Sequence, residues 1–145
     1  MSAITRTELL DLPRKEFYVT VANYDAYPEF VPHIMQAKTV ELDGNRSRVQ
    51  FKAHYLREIP YILDLYHDAP RRICWELVES PLLKVSSGSW ELRYKGKSKT
   101  EIVYSVEVVP RIIVPSRIID TLTRKGLPTM IQAFVKRTYL AIEKS

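Results

Sequence analysis

The sequence is poor in the residues that build cross-links, phosphate-binding loops and membrane spans. It has one cysteine, so no disulfide can form within the chain, and its four glycines form no glycine-rich phosphate loop. No apolar run approaches the roughly 18 residues that a membrane-spanning helix needs, and the N-terminus lacks the basic and apolar regions of a signal peptide. These absences predict a cytoplasmic protein.

Signatures of common catalytic and metal sites are also missing. The sequence contains neither H-E-x-x-H nor G-x-S-x-G. Its three histidines, His33, His54 and His67, lie far apart in the chain, which argues against a shared metal ion. We therefore assign no catalytic residue, no metal site and no cofactor from the sequence.

The positive charge is concentrated in the last quarter of the chain. Residues 111–145 hold seven basic and two acidic side chains, whereas residues 1–110 hold 15 of each. Such a segment could be a solvated helix face, or it could dock on the anionic surface of the inner membrane or on RNA. The charge pattern alone leaves these interpretations open.

The first third of the chain predicts a strand, a short helix and a stiff corner within a single domain. The 145 residues contain no internal repeat, low-complexity tract or flexible linker, which favours one domain over residues 1–145. Phe17, Val21 and Tyr24 share one helical face. The following stretch, NYDAYPEFVP, packs three aromatic rings and two prolines into ten residues and predicts a second short helix with Asp25 as its N-cap.

From Pro32 to about Pro110 the hydrophobic pattern has a period of two, which is typical of antiparallel strands. Turn sequences such as DGN, DAPR and KGKSK divide it into about six strands. Alternation puts Asp64 on the outer, solvated face. It puts an unusual set of amphipathic aromatic side chains on the inner face: Tyr55, Tyr61, Trp75, Trp90, Tyr94 and Tyr104.

The remaining segment predicts a long amphipathic helix that begins after Pro115 and is kinked near Gly126. A sheet with one apolar face must be covered, and this helix is the natural cover. The fold class is therefore α+β, with a long C-terminal helix and two short helices packed on a curved antiparallel sheet.

The aromatic inner face predicts a cavity between sheet and helix. Buried Tyr and Trp need hydrogen-bond partners, so a core built only for stability would take Leu, Ile or Val at several of these positions. A tightly packed aromatic core is the alternative. The predicted lining comprises Tyr55, Tyr61, Leu63, Trp75, Leu77, Trp90, Leu92 and Tyr104 from the strands and Ile118, Leu122, Met130 and Phe134 from the helix.

Three segments, YDAYPEFVP, WELVESPLLKVSSGSWEL and MIQAFVKR, resemble in order and spacing the START-like proteins of the coenzyme Q-binding and RatA type. The wider group is the helix-grip (SRPBCC) superfamily, which includes polyketide cyclase/dehydrase and lipid-transfer proteins. The resemblance implies a seven-stranded sheet that grips the C-terminal helix around a hydrophobic tunnel. It also implies that Tyr27 and Phe30 form the mouth of that tunnel.

Three functions follow as hypotheses. The first is a carrier or chaperone that binds a lipophilic small molecule or lipid, such as a polyprenyl quinone, and contacts the membrane through its basic C-terminal helix. The second is a polyketide cyclase or aromatase that uses a Tyr or His as acid or base. The third is a RatA-like protein that associates with the ribosome.

Overall fold

The computed structural model describes residues 3–144, except for the side chains of residues 122 and 123. The strands are β1 (Ile4–Leu10), β2 (Ile34–Asp43), β3 (Arg46–Tyr55), β4 (Arg57–Asp68), β5 (Arg72–Glu79), β6 (Leu83–Gly96) and β7 (Lys99–Pro110). The helices are α1 (Arg14–Ala22), a 3₁₀ helix (Tyr24–Glu29) that we call the corner helix, α2 (Ser116–Asp120), a π turn (Thr121–Lys125) and α3 (Gly126–Lys144). The predicted α+β class is confirmed.

The strands form one seven-stranded antiparallel sheet in the order β1-β7-β6-β5-β4-β3-β2. Strands β2 to β7 follow one another as neighbours, and β1 pairs with β7, with Ile4 opposite Val106. The meander therefore brings the start of β2, the turns after β3 and β5 and the end of β7 to one end of the sheet. We call this end, where α2 begins, the α2 end, and the opposite end the far end.

The inner face of the sheet carries the core, as alternation predicts. On β3, Val49, Phe51 and Ala53 are all buried. Helix α1 covers this face with Phe17 and α3 covers it with Phe134, both almost fully buried. The two helices meet at Thr138, whose Oγ1 lies 2.8 Å from Thr20 Oγ1.

Two side chains differ from the predicted burial. Tyr94, which lies near the far end of β6, is 59% exposed, and the Arg14 guanidinium lies over its ring. Asp64 points outward as predicted but is buried, because Arg48 Nε donates to its Oδ1 at 2.8 Å and the Arg46 side chain also bonds to it. A buried carboxylate on an outer face is therefore covered by arginines instead of water.

The corner helix is tied to its surroundings by polar contacts. The prediction that Asp25 caps this helix is wrong: its Oδ1 accepts bonds from the Thr39 backbone N–H, at 2.9 Å, and from the Thr39 hydroxyl. Glu29 accepts a bond from Arg137 of α3 at 2.6 Å. The corner is thus attached to β2 and to α3.

The predicted kink near Gly126 corresponds to the π turn. A Cβ atom at Gly126 would lie only 2.4 Å from the Thr121 carbonyl oxygen, so this close approach needs glycine. The helical run therefore continues from α2 into α3 through one irregular turn. Within the described chain, no helix combines the length and the apolar character needed to cross a bilayer.

Candidate ligand-binding cavity

A cavity of about 410 Å³ lies between the inner face of the sheet, the corner helix and the helical run. This volume falls in the lower part of the roughly 300–1,000 Å³ range of small-molecule sites. Most of its lining is buried and apolar. The exposed lining residues are His33, Thr121, Lys125 and Thr129, and they mark its opening, which we call the mouth, at the α2 end.

The structure brings most of the predicted lining residues together around this cavity. They are Tyr55, Tyr61, Leu63, Trp75, Trp90, Tyr104, Met130 and Phe134. Both tryptophans and the three strand tyrosines of the lining, one side chain from each of β3 to β7, therefore meet at one space. Alternation along β3 to β7 is what makes this part of the lining predictable, because it fixes which side chains point inward.

Other predicted residues lie outside the lining. Leu92 is buried in the core further toward the far end, and Leu77 packs at the core's edge beyond Trp75, where β5 stops pairing with β6. Ile118 precedes the π turn and is not in the lining. The side chain of Leu122 lies outside the described residues.

Phe30, predicted at the mouth, is also outside the lining. Its ring packs edge-on against Phe134, with centroids 5.1 Å apart, and the Arg137 guanidinium covers it. Tyr27 lies in the cavity wall, where its ring contacts Phe134 at 5.2 Å. The corner therefore anchors α3 through Phe30 and contributes Tyr27 to the cavity wall. The exposed residue that follows the corner and lies at the mouth is His33.

Several lining residues escape sequence reasoning. Tyr24, Val31 and Ile34 belong to the corner and its exit, where no simple periodicity predicts side-chain direction. Gly88 is outside the lining but lies behind one of its rings: it pairs with Trp75 across β5 and β6, and a Cβ there would lie 2.7 Å from the indole. A glycine inside a strand signals such a close approach, so this residue could have been found from the SSGSW sequence.

The phenol groups around the cavity differ in their partners. The Tyr27 hydroxyl donates to the Val21 carbonyl oxygen at 2.5 Å, and Tyr24 Oη lies 2.7 Å from His67 Nε2. Among the described residues, none forms a hydrogen bond with the hydroxyls of Tyr55, Tyr61 and Tyr104. Every fully buried side-chain oxygen and nitrogen of the described residues has a hydrogen-bond partner, so these three hydroxyls are not fully buried. They are therefore accessible, and all three residues line the cavity.

Burial makes these phenols harder to ionise. It raises the pKa of Tyr61 and Tyr104 far above the usual value, and neighbouring phenols, Tyr55 in both cases, add to the effect. Burial alone raises the pKa of Tyr55. At neutral pH the three hydroxyls are thus hydrogen-bond donors on an apolar wall. Among the described lining residues, Lys125, at the mouth, is the one that carries a formal charge.

Solved structures share this fold. The protein TTHA0849 from Thermus thermophilus is 13% identical, with a TM-score of 0.85 over 97% of this chain and 99% of that one. A START superfamily protein from Mycobacterium smegmatis is 15% identical, with a TM-score of 0.84 over 96% and 98% of the two chains. The Zhui aromatase/cyclase from Streptomyces sp. R1128 is 18% identical, with a TM-score of 0.71 over 97% and 87%.

These identities are low, so the structures establish that the chain has the helix-grip fold and nothing further. No curated protein matches the sequence. The model of one sequence family, described as polyketide cyclase/dehydrase and lipid transport, matches residues 10–135, which include nearly every strand and about half of α3. The chain belongs to the polyketide cyclase/dehydrase and lipid transport family.

Proposed function

We propose that the protein binds a lipophilic small molecule in this cavity and acts as its carrier or chaperone. The observation that carries the proposal is the combination of an apolar wall with three uncharged phenol hydroxyls that have no protein partner among the described residues. A wall of this kind suits a ligand that is mostly apolar and carries a few hydrogen-bond acceptors.

The apolar wall supplies most of the affinity in this proposal. A ligand that buries about 300 Å² of apolar surface gains about 7.5 kcal/mol, at about 25 cal/mol per Å². Association itself costs at least about 4 kcal/mol, so the apolar contribution alone supports only weak binding. Each hydrogen bond to a phenol adds about 0.5–1.5 kcal/mol, which is enough to select among ligands of the same shape.

The polar groups of the wall favour a ligand that accepts hydrogen bonds. The indole N–H groups of Trp75 and Trp90 are donors, as the three phenols are, and the described lining contains no carboxylate or carboxamide side chain. Carbonyl oxygens of a ketone or a quinone would satisfy these donors, whereas an amine would find few acceptors. We therefore propose a carbonyl-bearing lipophile, with a polyprenyl quinone as one example.

The two tryptophans provide a direct assay, because the chain has no others and both line the cavity. Titration with menadione should quench their fluorescence saturably. Calorimetry should give weaker binding for methylnaphthalene, which has the same ring system without the carbonyls. Tyr61→Phe and Tyr104→Phe should each weaken menadione binding about two- to tenfold and leave methylnaphthalene unchanged.

A matched control is Tyr94→Phe, which removes an exposed hydroxyl outside the cavity. It should change neither affinity. Absence of saturable binding by either compound, together with no lipophile in solvent extracts of the purified protein, would contradict the proposed function. Extraction followed by mass spectrometry also offers a route to the natural ligand.

A polyketide cyclase or aromatase is the second candidate, and the family match favours it. The chemistry of the wall argues for binding instead. Phenols whose pKa is raised by burial are poor proton donors and bases near neutral pH. If the protein is such an enzyme, Tyr55→Phe or Tyr104→Phe should abolish turnover of a poly-ketone substrate without loss of fold. Ribosome association stays a prediction, tested by salt-sensitive cosedimentation with ribosomal subunits.

A further inference from the structure

The α2 end carries the most exposed large apolar side chains of the described chain. Ile113, in the loop between β7 and α2, is fully exposed, and Leu56, between β3 and β4, is 81% exposed. Neither lines the cavity, but both belong to the end at which the cavity opens. We call these two side chains the apolar tips.

The backbone at Leu56 holds its side chain outward in a costly conformation. Leu56 has a φ of 67°, and it is the single residue between Tyr55 and Arg57, which face each other across the hairpin. A left-handed conformation costs a residue with a side chain roughly 1–2 kcal/mol, and glycine would avoid this cost. A strained, solvent-exposed leucine therefore indicates a use for its side chain outside the fold.

The same end has an excess of positive charge. Its cations are Arg57, Lys84, Arg111, Arg117, Arg124 and Lys125. Its acidic residues are Glu58, Glu79 and Asp120, and Glu58 is already paired with Lys52 at 3.7 Å. No ion pair joins Arg57, Arg117 or Lys125 to another described residue. The apolar tips thus share this end with an excess of exposed cationic residues.

We propose that the α2 end docks on an anionic lipid bilayer, with the apolar tips inserted among the acyl chains and the cations at the headgroups. Separate apolar tips with cations at the same end match the layered chemistry of a bilayer surface, which offers hydrocarbon below and negative charge above. Docking in this orientation points the mouth at the membrane. That orientation gives a lipophile a path between bilayer and cavity, and this consequence rests on the proposed function.

The proposal predicts which vesicles and which variants change binding. The protein should cosediment with vesicles of equal parts phosphatidylcholine and phosphatidylglycerol, and much less with phosphatidylcholine alone. Leu56→Ser and Ile113→Ser should each lower the partition coefficient about tenfold. Arg57→Gln and Arg117→Gln should each lower it about fivefold on the anionic vesicles only.

The far end supplies matched controls. Leu42→Ser removes a side chain that is 76% exposed in the hairpin between β2 and β3, and Lys95→Gln with Lys97→Gln removes two exposed cations there. These variants should bind vesicles like the unmodified protein. A direct readout uses Cys74→Ser with Leu56→Cys labelled with acrylodan, whose emission should shift to shorter wavelength on anionic vesicles.

Several results would overturn the docking proposal. The proposal is wrong if the tip variants bind vesicles as well as the unmodified protein does. It is also wrong if the Leu42→Ser control loses as much vesicle binding as the tip variants do. If light scattering shows a dimer that Leu56→Ser and Ile113→Ser dissociate, the tips form an interface between copies instead. Because neither tip lines the cavity, menadione titration without vesicles should be unchanged in these variants. Docking by a protein that binds neither menadione nor methylnaphthalene and yields no extractable lipophile would refute the proposed function alone, and menadione binding without docking would refute the docking alone.

Discussion

Gly88→Ala tests the link between sheet packing and the shape of the cavity. A Cβ atom at this position would lie 2.2 Å from the Ser105 carbonyl oxygen and 2.7 Å from Cζ2 of Trp75. The oxygen belongs to the backbone of β7, so relief of the first contact needs a shift of the sheet, and relief of the second needs displacement of the indole into the cavity. Overpacking typically costs about 1–3 kcal/mol, and a backbone obstacle belongs at the upper end of that range.

The expected loss follows from this estimate. Alanine also stiffens the unfolded chain by about 0.4–1 kcal/mol, so the net loss in unfolding free energy should be about 2 kcal/mol or more. For a domain of this size, that loss lowers the melting temperature by roughly 4–8 °C. Urea unfolding measures the free energy, and tryptophan emission should change because Trp75 moves.

Gly44→Ala is the matched control. Gly44 has a φ of 62° with no atom within 4 Å of an added Cβ, so alanine there should cost only about 1 kcal/mol from the left-handed backbone. Menadione affinity should fall in Gly88→Ala and stay unchanged in Gly44→Ala. The reasoning is refuted if Gly88→Ala is as stable as the unmodified protein, or no less stable than Gly44→Ala.

Three further predictions concern polar groups. Arg48 and Arg46 lower the pKa of Asp64, so the contribution of this carboxylate to stability is present above its unfolded pKa, near 3.9, and is lost as pH falls below that value. Asp64→Asn should therefore reduce stability at neutral pH and flatten the acid branch of the curve of stability against pH. Burial lowers the pKa of His67, so stability should decrease as pH falls below about 6.5, and His67→Gln should remove this part of the pH dependence in urea titrations at successive pH values. Thr138→Val removes a buried hydroxyl that lies 2.8 Å from Thr20 Oγ1 and should cost about 1 kcal/mol in unfolding free energy, whereas Ser at the same position, which keeps the hydroxyl, should retain that bond.

Prediction from the sequence worked where a side chain's direction follows from local geometry. Alternation along the strands identifies Tyr55, Tyr61, Trp75, Trp90 and Tyr104 as inward-facing, because successive strand residues point to opposite faces. The same rule cannot tell how far along a strand the cavity extends. It therefore includes Leu77 and Leu92, which the structure leaves outside the lining.

The corner shows what local geometry cannot decide. Its prolines and aromatic rings predict stiffness, but the roles of Tyr27 and Phe30 depend on where α3 crosses the corner. The ring of Phe134 contacts both of them, and Tyr27 joins the cavity wall whereas Phe30 packs on the outside beneath Arg137. In a 3₁₀ turn followed by an extended segment, side-chain directions do not repeat with a fixed period. The sequence pattern therefore does not predict which of these rings faces the cavity.

The sequence by itself determined the element order, the α+β class and the amphipathic aromatic inner face, because hydrophobic periodicity and turn residues act over a few neighbouring positions. Only the tertiary structure decided that three phenol hydroxyls lack protein partners among the described residues, that Gly88 makes room for Trp75, and that Leu56 and Ile113 share one end with the mouth. These relations join residues tens of positions apart in the chain. They arise from the register of the sheet and the path of the C-terminal helix across it.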